Sequence, residues 1–311
     1  MRSITKLIEQ IRRQTENEEV SDFTGISDKE FIQYINDAQY NLQAAIVHQH
    51  PRVFIKEVVI DAVSGQEKYN LPNDTFLKNK VHNVEYSSTG AEEDYYVLEE
   101  DTIKRRNPGV SGAPVHYIRL SGQVLLNPQP QRAGKIRVNY VHTLRELRKA
   151  SGKVLSNTPV VTSGSSNWTI NLDNDTFTTE VDLLDEENSV CIVDKFGNNV
   201  VSDIEIVEVT NSAITCIPKT LSSDDVSTIP AGSMVIAGAN STTHSELDIS
   251  VERYLIAYAA WKILKRDSSV DSTEAIQELQ SMQAEIVKSY AMISDDVQYI
   301  PQLNSWDDWS M

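Results

Sequence analysis

The period of the apolar positions changes twice along this chain. At the N-terminus Ile4, Leu7, Ile8 and Ile11 fall on one helical face. A second helix is predicted from Ser27, where "SDKE" forms a capping box: the serine oxygen and the Glu30 carboxylate each serve an exposed backbone N–H. Phe31, Ile35, Ala38, Leu42, Ala45 and Ile46 keep helical spacing until Pro51, which biases His50 away from helical dihedrals. From Val53 to Tyr140 the period drops to two. "VFIKEVVID" reads as a strand, and "SGQEKYNLP" as a turn followed by extended chain. "KVHNVEYSS" and "DYYVLEED" flank a glycine-containing loop, and a short helix is expected between Asp101 and "RNPG". "VHYIRL", a Ser-Gly turn and "QVLLN" form a hairpin ended by Pro128 and Pro130, and "KIRVNYV" adds a strand.

Near Ala150 the composition shifts to Ser, Thr, Asn, Asp and Val, with short strand-like runs such as "NWTINL", "SVCIVD", "IEIVEV", "AITCIP" and "SMVIAG". Five or more such runs within about 90 residues suit a small β-sandwich or barrel. After Ser245 the helical period returns. "DISVERYLIAYAAWKILKR", opened by Asp248 or Ser250, offers a broad apolar face of Leu255, Tyr258, Ala259, Trp261, Ile263 and Leu264. "DSTEAIQELQSMQAEIVKSYAMI" makes a further helix, with Asp271 and Glu274 at cap-box spacing.

The expected class is therefore α+β, with N- and C-terminal helices forming a bundle, an antiparallel sheet and hairpin region, and an inserted all-β domain. The expected boundaries are residues 1–150 for the first helices and sheet, 151–243 for the inserted sandwich or barrel, 244–295 for the closing helices, and 296–311 for an extended arm.

Composition narrows the function. Hydrophobic residues make up 40% and charged residues 23% of 311, as in a folded globular protein. With 45 acidic against 28 basic residues, the formal charge of −17 disfavours tight binding to phosphate backbones, which relies on Lys and Arg displacing counterions. No run approaches the roughly 18 apolar residues of a membrane span, and the N-terminus lacks a secretory pattern. Cys191 and Cys216 have no partners at zinc spacing and read as two small core residues.

Catalytic patterns are missing: no G-x-S-x-G elbow, H-E-x-x-H pair or phosphate loop occurs, so neither an enzyme, a cofactor nor a metal is expected. His48 and His50 point about 200° apart on a helix and would not share a metal. "EEDYYVLEED" and "DLLDEEN" read as charged strand edges rather than cation sites. The terminal segment "QYIPQLNSWDDWSM" differs in kind. Tryptophans are costly to leave in water, and Ile300, Leu303, Trp306 and Trp309 suit anchors of an arm that docks on another chain.

The order of weak motifs resembles the head-to-tail adaptor, or connector, proteins of tailed bacteriophages, including the tail tubular protein A type. The residues that carry it are "EFIQYINDAQYNLQAAI", "GQEKYNLPNDTFLKNKVHNVEY", "GAPVHYIRLSGQVLLNPQPQ", "KIRVNYVHTLREL" and "VERYLIAYAAWKILKRD". They cover residues 28–150 and 245–290, and the β-rich stretch at 151–243 departs from a minimal adaptor. The resemblance implies a virion protein at the head–tail junction, made in the host cytoplasm. It would form a homo-oligomeric ring, commonly of twelve copies, under the portal protein. Tail nozzle, tube or fibre proteins would lie below, and DNA would pass through the channel without specific binding. A carbohydrate- or receptor-binding module displayed by the β insertion is the alternative, and an enzyme with an unrecognised site is the third reading.

The charge balance generates a test. The purified chain is expected to bind DNA weakly and without sequence preference, with the affinity vanishing as salt rises to about 0.15 M, in a titration followed by fluorescence anisotropy. Sub-micromolar binding at that salt would reveal a basic face near Arg145, Arg148, Lys149 and Lys153.

Overall fold

The computed structural model describes residues 2–15, 26–106, 108–155, 160–161, 168–173, 188–209, 213–217, 229–266 and 273–295. The expected α+β class is observed, and the chain divides into two compact units. One comprises Met1–Leu42 with Leu144–Gln280, the other Gln43–Thr143 with Ser281–Met311.

In the first unit, α1 (Ile4–Gln14) buries all four of its predicted face residues. Helix α2 (Asp28–Gln49) begins with the capping box read from the sequence: Ser27 N–H donates to the Glu30 carboxylate and Glu30 N–H to Ser27 Oγ, each at 3.3 Å. Phe31, Ile35, Ala38 and Leu42 are buried along it.

The same buried side of α2 also carries amides that hydropathy did not single out. Asn36 Nδ2 donates to Leu147 O at 3.0 Å while Asn36 Oδ1 accepts from Leu147 N–H at 2.9 Å. Gln39 Nε2 donates to Asn36 Oδ1 and to Arg145 O, both at 3.0 Å. A helix face that meets the edge of an extended chain must satisfy that chain's main-chain groups, and these amides do so.

The second unit is a sandwich. Its strands are β1 (Ile55–Ala62), β2 (Lys68–Asn70), β3 (Val81–Ser87), β4 (Tyr96–Val97), β5 (Glu99–Glu100), β6 (Ser111–Gly112), β7 (His116–Leu120), β8 (Gln123–Asn127), β9 (Gln129–Pro130) and β10 (Gly134–Val141). One sheet runs β1-β10-β3-β4, all antiparallel, and a second runs β2-β8-β7-β5. They bury a common core: Val84, Tyr86, Ile136, Val138 and Tyr140 from the first sheet, and Tyr69, Tyr117, Val124 and Leu126 from the second. Gln43, on the last turns of α2, donates to His142 O at 2.6 Å within this unit.

The predicted hairpin is β7–β8, with Leu120 opposite Gln123 across Ser121-Gly122. Gly122 adopts φ +74°, a left-handed backbone that side chains resist. Two local expectations change. The strand expected from Val53 starts at Ile55, because Phe54 takes φ 63° and its carbonyl accepts the His142 N–H at 3.0 Å. The helix expected after Asp101 shrinks to a single 3-10 turn, Ile103–Arg105. Asp101 N–H is held by Tyr117 O at 2.9 Å and its carboxylate takes the Thr102 N–H at 2.7 Å, which ties the start of that turn to β7.

The strands after residue 144 belong to the first unit: β11 (Glu146–Leu147), β12 (Gly152–Lys153), β13 (Val160–Val161), β14 (Trp168–Asn171), β15 (Ser189–Val193), β16 (Asn199–Val209), β17 (Ala213–Ile217), β18 (Met234–Ala237) and β19 (Ser241–Thr242). Seven form one antiparallel sheet in the order β12-β18-β15-β16-β17-β14-β13. This sheet closes on itself. Val154 bridges Leu172, Leu155 N–H donates to Asn171 O at 3.1 Å and Asp173 N–H to Lys153 O at 2.9 Å, so the β12 end joins the β14 end. Val190, Ile192, Ile204, Ile214, Cys216 and Val235 fill the enclosed core. Closure leaves β12 and β14 without free edges there, the usual remedy for an exposed strand.

After a 3-10 turn at Ile249–Val251, where Asp248 accepts the Ser250 N–H, come α3 (Glu252–Arg266) and α4 (Thr273–Asp295). Asp271, expected to cap α4, lies outside the described residues. Helix α1 packs on α3. The broad apolar face expected for α3 is divided: Leu255, Ala259 and Ile263 are buried, whereas Tyr258 and Trp261 are half-buried and Leu264 is exposed. Tyr254 and Ala260 join the core side instead.

Replacing Asn36 by Ala would strand both main-chain groups of Leu147, each costing about 1–3 kcal/mol if left unpaired. Asn36→Ala is expected to lower the unfolding free energy by at least about 2 kcal/mol in a urea titration. Asn36→Asp, which keeps the acceptor and loses the donor, should fall between that variant and the parent.

Candidate assembly surfaces

Extended chain on either side of the barrel meets in parallel: β11 pairs with β19, Glu146 opposite Ser241 and Leu147 opposite Thr242. Arg145 clamps the two segments. Its Nε donates to Glu246 Oε1 at 2.7 Å, its own N–H to Glu246 Oε2 at 2.9 Å, and its Nη2 to Gly197 O at 3.0 Å. Charge-assisted, two-point contacts of this kind fix orientation as well as distance. Gly197 (φ +85°) also accepts from Thr242 Oγ1, and a Cβ there would lie 2.6 Å from the His244 side chain. The turn before it is held by the Asp194 carboxylate, which takes N–H groups from Phe196 and Asn198. It presents Phe196 to solvent, 62% exposed. On the far side Ile4 N–H donates to Thr243 O at 2.8 Å, which ties α1 to the same segment.

The residues named as a conceivable basic face are not a free one. Arg145 is paired with Glu246, Arg148 with Glu146 at 3.0 Å, and Lys149 closely with Asp28. The acidic run at 92–101 is likewise engaged. Glu92 pairs with Arg137, Glu100 with Arg119, and Arg137 also meets Glu85 at 3.2 Å and Glu57 at 3.5 Å, with its guanidinium 3.9 Å from the Tyr95 ring centre. Glu57, Glu85 and Glu100 are cross-strand partners and Glu92 reaches Arg137 from the turn before β4, as a charged strand edge expects. "DLLDEEN" falls outside the described residues except Asn188. Among the described residues no group of His, Cys, Asp and Glu is arranged to hold a metal, and no helix there is long and apolar enough to cross a membrane.

Ile300, Leu303, Trp306 and Trp309, the anchors expected to reach another chain, lie beyond the described residues, which end with α4 at Asp295. A cleft of about 380 Å³ lies between the end of α1 and the start of α3. Its charges are paired, Glu252 with Arg2 and Glu278 with Arg253, so it offers no free acid–base pair. Glu252 itself is buried at 2% exposure, a burial that hydropathy did not signal.

With this scaffold in view, the chain matches the SU10 adaptor protein family over residues 2–179. It belongs to that family of phage head-to-tail adaptors. The matched span takes in α1, α2, the whole sandwich and the first strands of the barrel, and stops before β15. No curated protein matches the chain. Membership agrees with the resemblance read from the motifs at 28–150, and it gives the adaptor a structural role as a component of the phage particle.

Both cysteines are free and buried, on opposite sides of the barrel wall. Cys216 faces the enclosed core, and burial pushes its thiol up to about 12. Cys191 points the other way, its Sγ 3.1 Å from Gly238 O and Ala239 O, with its thiol also raised by burial. Because the thiolate is the reactive form, neither is expected to react with iodoacetamide at pH 8 in the folded protein. Mass spectrometry should show two alkylations only after denaturation, and rapid native labelling of Cys216 would contradict a closed barrel.

Proposed function

We propose that this adaptor is the subunit of a ring docked beneath the portal vertex, joining it to the tail and framing the channel through which DNA passes. Twelve copies follow from the likeness to connector proteins. The terminal helices serve as a bundle facing the portal, the barrel of 151–243 is an inserted domain mounted through the Arg145–Glu246 clamp, and the arm of 296–311 reaches a neighbouring chain. The family match over residues 2–179 carries this reading. The scaffold supports it: buried Asn36 and Gln39 and half-buried Arg145 are engaged in holding chain segments in place, and a part that transmits geometry rather than chemistry has that need. The charge of −17 suits a channel that must release a polyanion.

Electron microscopy of the purified chain, with light scattering, tests the ring directly. Closed rings are expected, and a monodisperse monomer at all concentrations and with added portal protein would defeat the reading. Large aromatic anchors commonly cost at least about 2 kcal/mol when truncated at an interface, and in a ring the loss recurs at each copy. Trp306→Ala with Trp309→Ala should therefore leave a folded chain that fails to join its neighbours or the portal. Normal assembly with a much lower melting temperature would make the segment a cover for its own core.

A further inference from the structure

Helix α3 carries a second face that its own unit covers only in part: Tyr258 and Trp261 are half-buried, and Asn41 of α2 donates to the Tyr258 hydroxyl at 3.0 Å. Tyr258 and Trp261 stack edge to face at 5.6 Å, with Tyr254 next in the row at 6.0 Å from Tyr258. Lys262 lies 5.4 Å from the Tyr258 ring centre and 5.3 Å from that of Trp261, and Lys265 lies 5.1 Å from Trp261. Neither lysine has a carboxylate partner among the described residues, although most arginines there do. The Trp261 Nε1–H has no acceptor there either. Leu264 borders the patch, 36% exposed.

The same chain supplies a segment with the complementary chemistry. After α4 ends at Asp295, residues 297–306 carry no charge, and the sequence then reads Trp306-Asp307-Asp308-Trp309. Two carboxylates between two indoles match two ammonium groups beside an indole and a phenol. The aspartates would neutralise Lys262 and Lys265, and the tryptophans would extend the aromatic pair and cover Leu264. The segment between Asp295 and Trp306 spans up to about 3.3 Å per residue when extended, enough to cross to an adjacent molecule.

We propose that the Tyr258–Trp261–Lys262–Lys265 face of α3 is the seat of the Trp306–Trp309 arm of a neighbouring copy. This rests on the reading of the chain as a ring-forming adaptor and names the surface that receives the arm. A nucleic-acid contact is the competing use of a basic, aromatic face, since bases stack on such rows. The arm is favoured because its two carboxylates and two indoles answer the two ammonium groups and the aromatic pair of the face.

The test is a charge exchange in the full chain, with assembly read by light scattering and folding by circular dichroism. Lys262→Glu with Lys265→Glu should reduce the assembled fraction at least about tenfold, and Asp307→Lys with Asp308→Lys should do the same, the range that paired charges reach at interfaces. All four substitutions together should restore assembly, a rescue that a folding defect would not show. A mixture of the two defective chains should also assemble, the two alternating, since each arm then meets a seat of opposite charge on the other chain and neither meets one on its own kind. If the lysine variant assembles like the parent while Trp306→Ala with Trp309→Ala does not, the arm docks elsewhere; the proposal fails and the adaptor reading stands. A concentration-independent effect on melting, with no effect on assembly, would place the arm on its own chain and overturn the proposal. Loss of binding to a fluorescent single-stranded oligonucleotide with unchanged assembly would make the face a nucleic-acid contact and overturn it likewise.

Discussion

The two-way grip of Asn36 on the main chain of Leu147 is the contact that the first unit's architecture depends on. A carboxamide is the smallest side chain that offers a donor and an acceptor in one plane, so it can replace a missing strand neighbour for one residue. With Gln39 holding Arg145 O, the stretch 145–147 runs along α2 without leaving its buried main-chain groups unpaired. Everything that follows in the chain begins from this anchored stretch. The opposite edge of Leu147 then pairs with β19, and Arg145 reaches Glu246 and Gly197.

This arrangement orients the strands that flank the barrel. The barrel strands enclose a core of their own, filled from inside by alternate residues. What an attachment must supply is orientation. Bidentate, partly buried ion pairs and main-chain pairing are directional, whereas apolar contact is not. The side chains of Arg145 and Glu246 are 12% and 21% exposed, shielded enough for the pair to resist screening by salt better than a surface bridge.

Charge is organised on the sandwich in a comparable way. Arg137 in β10 lies beside carboxylates from β1 and β3 on either side and from the loop before β4, with the Tyr95 ring over its guanidinium. A cation at the centre of the sheet, shared among carboxylates of its neighbours, ties those strands together.

Much of this was legible locally. The capping box at Ser27, the buried faces of α1 and α2, the Ser-Gly hairpin, the strand runs after residue 150 and the return of helices after Ser245 all follow from signals a few residues apart, and they formed as read. The family motifs were legible for the same reason, since they are local runs in a fixed order. Three features were decided only in three dimensions. The barrel closes because Val154 meets Leu172, and its flanking segments join because Glu146 meets Ser241, pairings between residues whose own sequences carry no trace of each other. Asn36, Gln39 and Glu252 are buried because a particular backbone or cation waits opposite them; hydropathy alone assigns such residues to the surface. The apolar side of α3 is shared between a core and an open face because one neighbouring helix covers only part of a helix's circumference. Sequence determines which faces are apolar, and tertiary packing determines which of them are covered.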